Sequence, residues 1–234
     1  MNPEPPADEN PDPFPFRVGE GFSRHPRTIE KDLPDMLSLR LAPLVIALVS
    51  FALIPAASAD NGTITEIVLE SGGEFDSNRR DYDILLNAVV TADLADALDD
   101  PDAELTVFAP NDAAFVRLAK DLGYQGGYDE NEAWNFLVAA LTGLGDGDPI
   151  PVLTDILLYH VVAGDVRPVD LIISTIFGQD ITTLLGATIR PFFIFLIDNE
   201  PDLRNPRVAF PLDIEASNGR IHTVNRVLIP VDLP

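Results

Sequence analysis

Cysteine is absent from this 234-residue chain. That removes disulfide staples, cysteine-ligated zinc, iron–sulfur centres and thiol nucleophiles at once. Basic residues are scarce: 15 Lys and Arg stand against 38 Asp and Glu, a formal charge of −23. Nucleic-acid phosphates demand Lys/Arg stripes, so no nucleic-acid partner is expected. Charge-driven docking on anionic lipid is disfavoured for the same reason. Histidine occurs only at His25, His160 and His222. No HExxH motif, local histidine pair or G-x-S-x-G elbow accompanies them, so no catalytic residue, metal ligand or cofactor is assigned. What is present, 46% apolar residues, suffices for the core of one domain with appendages.

Long apolar runs are also rare, and the longest reads as a leader. In MLSLRLAPLVIALVSFALIPAASA (36–59), Arg40 precedes an apolar segment, Leu41 to Ile54, and Pro55 leads to Ala57-Ser58-Ala59. A basic start, an apolar middle and a small-residue site form a secretory signal peptide, with cleavage after Ala59. The apolar segment contains Pro43 and falls short of the roughly 20 residues that span a bilayer, so no membrane anchor is expected after cleavage. Residues 1–35, which include PEPPADENPDPFPF, are rich in proline and acid without periodicity, a composition that predicts disorder. A signal peptide starts near its own methionine. Met36 is therefore the expected start, with 1–35 an upstream over-extension of the reading frame. The remainder, 60–234, holds ten basic and thirty acidic residues, and Lys120 is its only lysine. Asn61-Gly62-Thr63 matches the N-glycosylation sequon.

The first half of that remainder shows helical periodicity. Thr63 and Glu66 make a capping-box pattern ahead of Ile64, Ile67 and Val68. Ile84, Leu85, Ala88 and Val89 form a stripe, which Leu94 and Leu98 extend into a second short helix. Thr106–Ala109 is a short β-type run stopped by Pro110, and Asn111 or Asp112 can cap a helix bearing Phe115, Leu118, Ala119 and Leu122. Further helices are predicted around Trp134–Leu141 and from Val152 to Tyr159. After Ile181 the pattern turns to strands: 181–185, 187–190, 192–198, 207–210, 212–216, 220–224 and 226–230, with Asn218-Gly219 as a hairpin signal. Helices followed by an antiparallel meander indicate an α+β fold.

His160 stands inside LLYHVVAG (157–164), at a predicted helix-to-strand junction. With neither nucleophile nor metal partner in view, its reading is a hydrogen-bonded pin that satisfies backbone groups at the junction. His222 reads likewise on its strand. In LDIEA (212–216), alternation puts Ile214 inward and Asp213 outward. The acidic loops GDGDP (145–149) and DNEPD (198–202) miss the calcium-loop pattern and read as solvated. FFIFLID (192–198) exceeds strict alternation, so it is either a central strand dry on both faces or the lining of an apolar groove or self-association surface built on Phe192, Phe193 and Phe195.

TVFAPNDAAF (106–115), LLYHVVAG (157–164) and DIEASNGRIHTVNRVLIP (213–230) resemble, in order and spacing, the first signature box, the tyrosine–histidine box and the second signature box of the fasciclin domain. The resemblance covers about 62–231. It implies a wedge-shaped β-sandwich with helices packed on it, in extracellular or surface-attached proteins that mostly bind rather than catalyse. Residues to which it attributes partner recognition fall here at Tyr159, His160, Asp213 and Ile214. This sequence departs from the family pattern at Asn225, where aspartate is common, and at Arg220, where a small apolar residue is usual.

The expectation is thus a disordered segment (1–35), a signal peptide (36–59) and a fasciclin-like domain (60–234), secreted to the extracellular or periplasmic space. Its partner would be an extracellular protein, matrix or cell-surface component, with no catalysis. The alternative is an exported carrier or enzyme that holds a small apolar or lipid-like ligand near Phe192–Phe195. N-terminal sequencing of exported protein is expected to begin at Asp60; peptides from 1–35 in that material would overturn the assigned start.

Overall fold

A computed structural model describes residues 61–233. The expected N-terminal segment and leader lie outside the described residues. Strand β1 (Leu105–Pro110) is the organising element, with all six residues buried. It pairs antiparallel with β2 (Val161–Ala163) and parallel with β7 (Gly219–Val224), which in turn pairs antiparallel with β6 (Ile214–Ala216). The four-stranded order is β2-β1-β7-β6. A second, antiparallel sheet runs β3 (Ile181–Thr182), β4 (Thr188–Phe192), β5 (Phe195–Ile197).

The two-residue period of β1 divides the interior. Leu105, Val107 and Ala109, with Val161 and Ile221, join a core made largely by helices. Phe108, with Val162 and Val224, meets Ile189 and Leu196 of the second sheet. The central strand β1 is thus dry on both faces, with helices on one side and a sheet on the other: α+β, a sandwich with helices packed on it. The helical core draws on α1 (Ile64–Ser71), α2 (Asp83–Thr91), α4 (Asp112–Asp121), α5 (Glu130–Leu144) and α6 (Ile150–Tyr159), with short α3 (Ala95–Leu98) packed at its margin. The predicted caps form: Thr63 accepts from Glu66 N, the Glu66 carboxylate reciprocates to Thr63 N, and Asn111 accepts from Ala114 N.

The expected terminal meander is only partly present. The sheet is mixed, because β7 crosses back to pair with β1 from the first half of the chain. Residues 226–230 form no strand, since side chains take their backbone donors: Leu228 N donates to His160 Nε2 at 2.8 Å and Ile229 N to Asp198 Oδ2 at 2.9 Å. Residues 207–210 contribute only isolated bridges. Helix α7 (Pro168–Phe177) was not anticipated, its β-branched content masking the start at Pro168 and the left-handed Gly178 stop. FFIFLID is not a central strand. It bends at Phe193-Ile194 into the β4–β5 hairpin, with Phe192 paired to Phe195.

The Asn-Gly signal marks the β6–β7 hairpin, whose turn is Ser217-Asn218. Asn218 is buried; its Oδ1 accepts from Ile64 N at 2.9 Å, and its Nδ2 donates to Leu98 O at 2.8 Å and Asp100 O at 3.0 Å. Gly219 is required by close approach: a Cβ there would lie 1.9 Å from Leu105 O on β1. An ordinary strand glycine gains a little stability on becoming alanine. Gly219→Ala is instead expected to cost about 2 kcal/mol or more in urea denaturation, because β1 and β7 must separate.

Candidate functional site

Tyr159 ends α6, and His160 caps it at the turn into β2. Both are buried, at 0% and 1% exposure. The Tyr159 hydroxyl donates to Thr188 O of the second sheet at 2.7 Å. Since the Leu228 amide can only donate, His160 Nε2 is an acceptor; Nδ1 then carries the proton and donates to Ile156 O at 2.7 Å. His222 takes the opposite tautomer, Nδ1 accepting from Asp213 N at 3.3 Å and Nε2 donating to Val166 O at 2.7 Å. All four ring nitrogens are committed to backbone. A partner reaches neither Tyr159 nor His160 in this conformation, so direct recognition through that pair, implied by the resemblance, is at odds with their burial.

The second pair behaves differently. Asp213 is exposed and Ile214 half-buried against the helical core. Asp213 is not free, because its carboxylate receives Arg220 Nη1, while Arg220 Nε donates to Asp165 Oδ1 at 2.5 Å and Nη2 lies 3.5 Å from Glu215. The Asp165 hydrogen bond raises Arg220 above its ordinary value and lowers the Asp165 carboxyl in return. Asp213 is therefore presented as part of a charged knot.

Phe192, Phe193 and Phe195 do not together form an apolar groove, although Phe195 borders a largely polar surface cleft with Arg117, Leu203 and Arg207. They stand exposed on the β4–β5 hairpin, Phe192 and Phe193 edge to face with centroids 5.2 Å apart. Phe193 N donates to Thr175 Oγ1 of α7 at 3.0 Å, which joins the hairpin turn to that helix. On α7 the residues at helical spacing, Val169, Ile172, Ile173, Ile176 and Phe177, all face solvent, Phe177 at 71% exposure, while Leu171 turns into the core. This is an amphipathic helix with its apolar stripe outward. Charges between Arg167 and Ile197 occur only as two ion pairs, Arg167–Asp170 at 3.3 Å and Arg190–Asp180 at 2.7 Å. Sequence reasoning found the phenylalanines but missed the helix beside them; the five-residue apolar stripe after Pro168 was the available signal.

A cavity of about 60 Å³ with mostly apolar walls lies elsewhere, between Ile64, Leu85, Val107 and Leu157, with Thr65 and His160 also lining it. It is far below the several hundred Å³ a lipid-like ligand needs. Of the two acidic loops, 198–202 is only partly solvated, because the buried Glu200 carboxylate accepts from Asp202 N at 2.8 Å and Leu233 N at 2.6 Å, while Asp146, Gly147 and Asp148 of the other are exposed. Burial pushes the Asp198 carboxyl up to about 6 even as it accepts from Ile229 N.

Burial pulls the His160 imidazole down to about 4, outweighing its bond to Ile156 O. The unfolded chain takes up this proton near 6.5, so from pH 6.5 down toward 4 the unfolded state binds more protons and His160 loses stability as pH falls. NMR titration is expected to show a flat imidazole response from pH 8 to about 5. His160→Ala is expected to cost about 2–4 kcal/mol, orphaning the Leu228 amide and leaving a cavity; an unchanged melting curve would refute the pin.

The sequence pattern of the fasciclin domain matches residues 80–230. Uncharacterized protein sll1735 of Synechocystis sp. is 32% identical over 149 residues, 63% of this chain and 89% of that one. Protein sll1483 of the same organism is 26% identical over 177 residues, 76% and 79% of the two chains. Among solved structures, a FAS1 domain pair from the insect cell adhesion molecule fasciclin I aligns with TM-score 0.49 and 17% identity over 72% of this chain, which spans about half of that one. By the match of residues 80–230, well over half of its length, this chain belongs to the fasciclin domain family.

Proposed function

We propose that the protein is an exported binding module that contacts an extracellular protein, matrix or cell-surface component through the apolar face of α7 and the β4–β5 hairpin. Fasciclin domains generally act in adhesion and binding. The observation that carries the assignment to this face is the outward stripe of α7 adjoining the exposed hairpin turn. Soluble monomers rarely leave more than a few hundred Å² of contiguous apolar surface uncovered, and larger patches mark interaction sites. The face is also electrically quiet in a chain of charge −23, because its charges cancel in pairs. Contact there avoids the repulsion that the rest of the surface imposes on acidic partners. A reading without catalysis is supported by both buried imidazoles being occupied by backbone groups.

The test is adhesion of protein-coated beads to cells and matrix of the source organism. Ile176→Glu/Phe177→Glu, with unchanged circular dichroism, is expected to reduce capture about tenfold or more, as loss of central apolar anchors does. Equal capture by the variant overturns this face, and no capture by the unaltered protein overturns the module reading.

A further inference from the structure

Asp81, Asp112 and Glu130 are buried, and each offers a carboxylate oxygen within 4.8 Å of the other two. Asp76, Asp81 and Asp83 form a second such group that shares Asp81, with Asp76 exposed at its edge. No sequence motif announces the cluster. Asp83, Asp112 and Glu130 are the first residues of α2, α4 and α5, brought together only by the fold.

Backbone donors serve part of the cluster. Asp112 Oδ1 accepts from Ile84 N at 2.8 Å, Glu130 Oε2 from Asp76 N at 2.8 Å, and Asp83 Oδ1 from Gly73 N at 2.5 Å. Asp81 Oδ1 and Asp83 Oδ2 are buried with no hydrogen-bond partner, and Asp81 itself is only 6% exposed. Among the described residues, none of the ion pairs reaches any of the five carboxylates. Uncompensated buried charge is costly, and only a proton or a cation relieves it here.

We infer that Asp81, Asp112 and Glu130, with Asp83 and Asp76 at the mouth, bind a divalent cation of the calcium class. An all-carboxylate donor set selects hard cations over zinc or copper. Calcium takes six to eight oxygens at 2.3–2.6 Å, so the oxygens of one shell lie within about 5 Å of each other, a spacing met within the Asp81, Asp112 and Glu130 triad and, separately, within the Asp76, Asp81 and Asp83 triad. Magnesium demands a tighter octahedron than carboxylates pinned on three separate helix ends supply. Asp81 is the ligand that backbone leaves open. Binding joins the loop before α2 to the starts of α4 and α5.

The test uses the full chain, stripped with chelator and titrated with calcium chloride by calorimetry and thermal melting. Saturable heat is expected, with a rise in melting temperature of about 5 °C or more at calcium roughly a hundredfold above Kd. Asp81→Asn, which removes the charge on the unpartnered Oδ1 while keeping a side chain that can still hydrogen-bond Asp112, is expected to fold without calcium and to lose about tenfold or more in affinity. Glu130→Gln serves as a second variant should Asp81→Asn fail to fold. Absence of heat and shift in the unaltered chain overturns the site. Equal binding by the variant places the ion elsewhere and overturns it too. A larger response to magnesium chloride overturns the calcium assignment.

Discussion

Strand β1 has neither a free edge nor a free face, and the other layers are positioned by that condition. Its two edges are closed by β2 and β7, its one face by helices and its other by the second sheet. A strand in that position must be apolar throughout, which is why Leu105–Pro110 shows no polar alternation. Its single hydroxyl, Thr106, is absorbed locally by donating to Gly164 O at 2.6 Å and accepting from Val166 N at 2.8 Å.

Around this strand, polar side chains do work that a regular ladder would otherwise do. His160 and Asp198 secure residues 228 and 229, Asn218 ties the terminal hairpin to α1 and α3, and Asn225 accepts from Arg207 N at 3.0 Å. These contacts explain why the second signature box ends in an irregular segment that still buries Val227, Leu228 and Ile229. They also account for Asn225 at a position where the family pattern has aspartate: the amide oxygen accepts as a carboxylate would, without adding to an already acidic surface.

Legibility in the sequence followed the range of the interactions. Capping boxes, helical stripes and the Asn-Gly turn depend on residues within a few positions of each other, and Thr63–Glu66, Asn111 and the β6–β7 hairpin were readable for that reason. The parallel union of β1 with β7 spans more than a hundred residues and leaves no local trace. Helix α7 was concealed because its apolar stripe is β-branched and faces water, against both propensity and the usual inward pattern. The phenylalanines at 192–195 were visible as an anomaly, but a run dry on both faces and an exposed hairpin turn share one composition. The carboxylate cluster could not be read, since the fold alone brings Asp76 and Asp81 of the loop before α2 to the starts of α2, α4 and α5.

The union of β1 with β7 has a further consequence for how the molecule comes into being. A polypeptide made or threaded in one direction presents Leu105–Pro110 long before its central neighbour, Gly219–Val224, emerges. Until then that strand lacks one edge, and the helical layer has only half a floor to rest on. The central pairing of the sheet therefore waits until Gly219–Val224 has been made, as nonlocal pairing dictates. A chain built this way joins its first half to its second only late in its making.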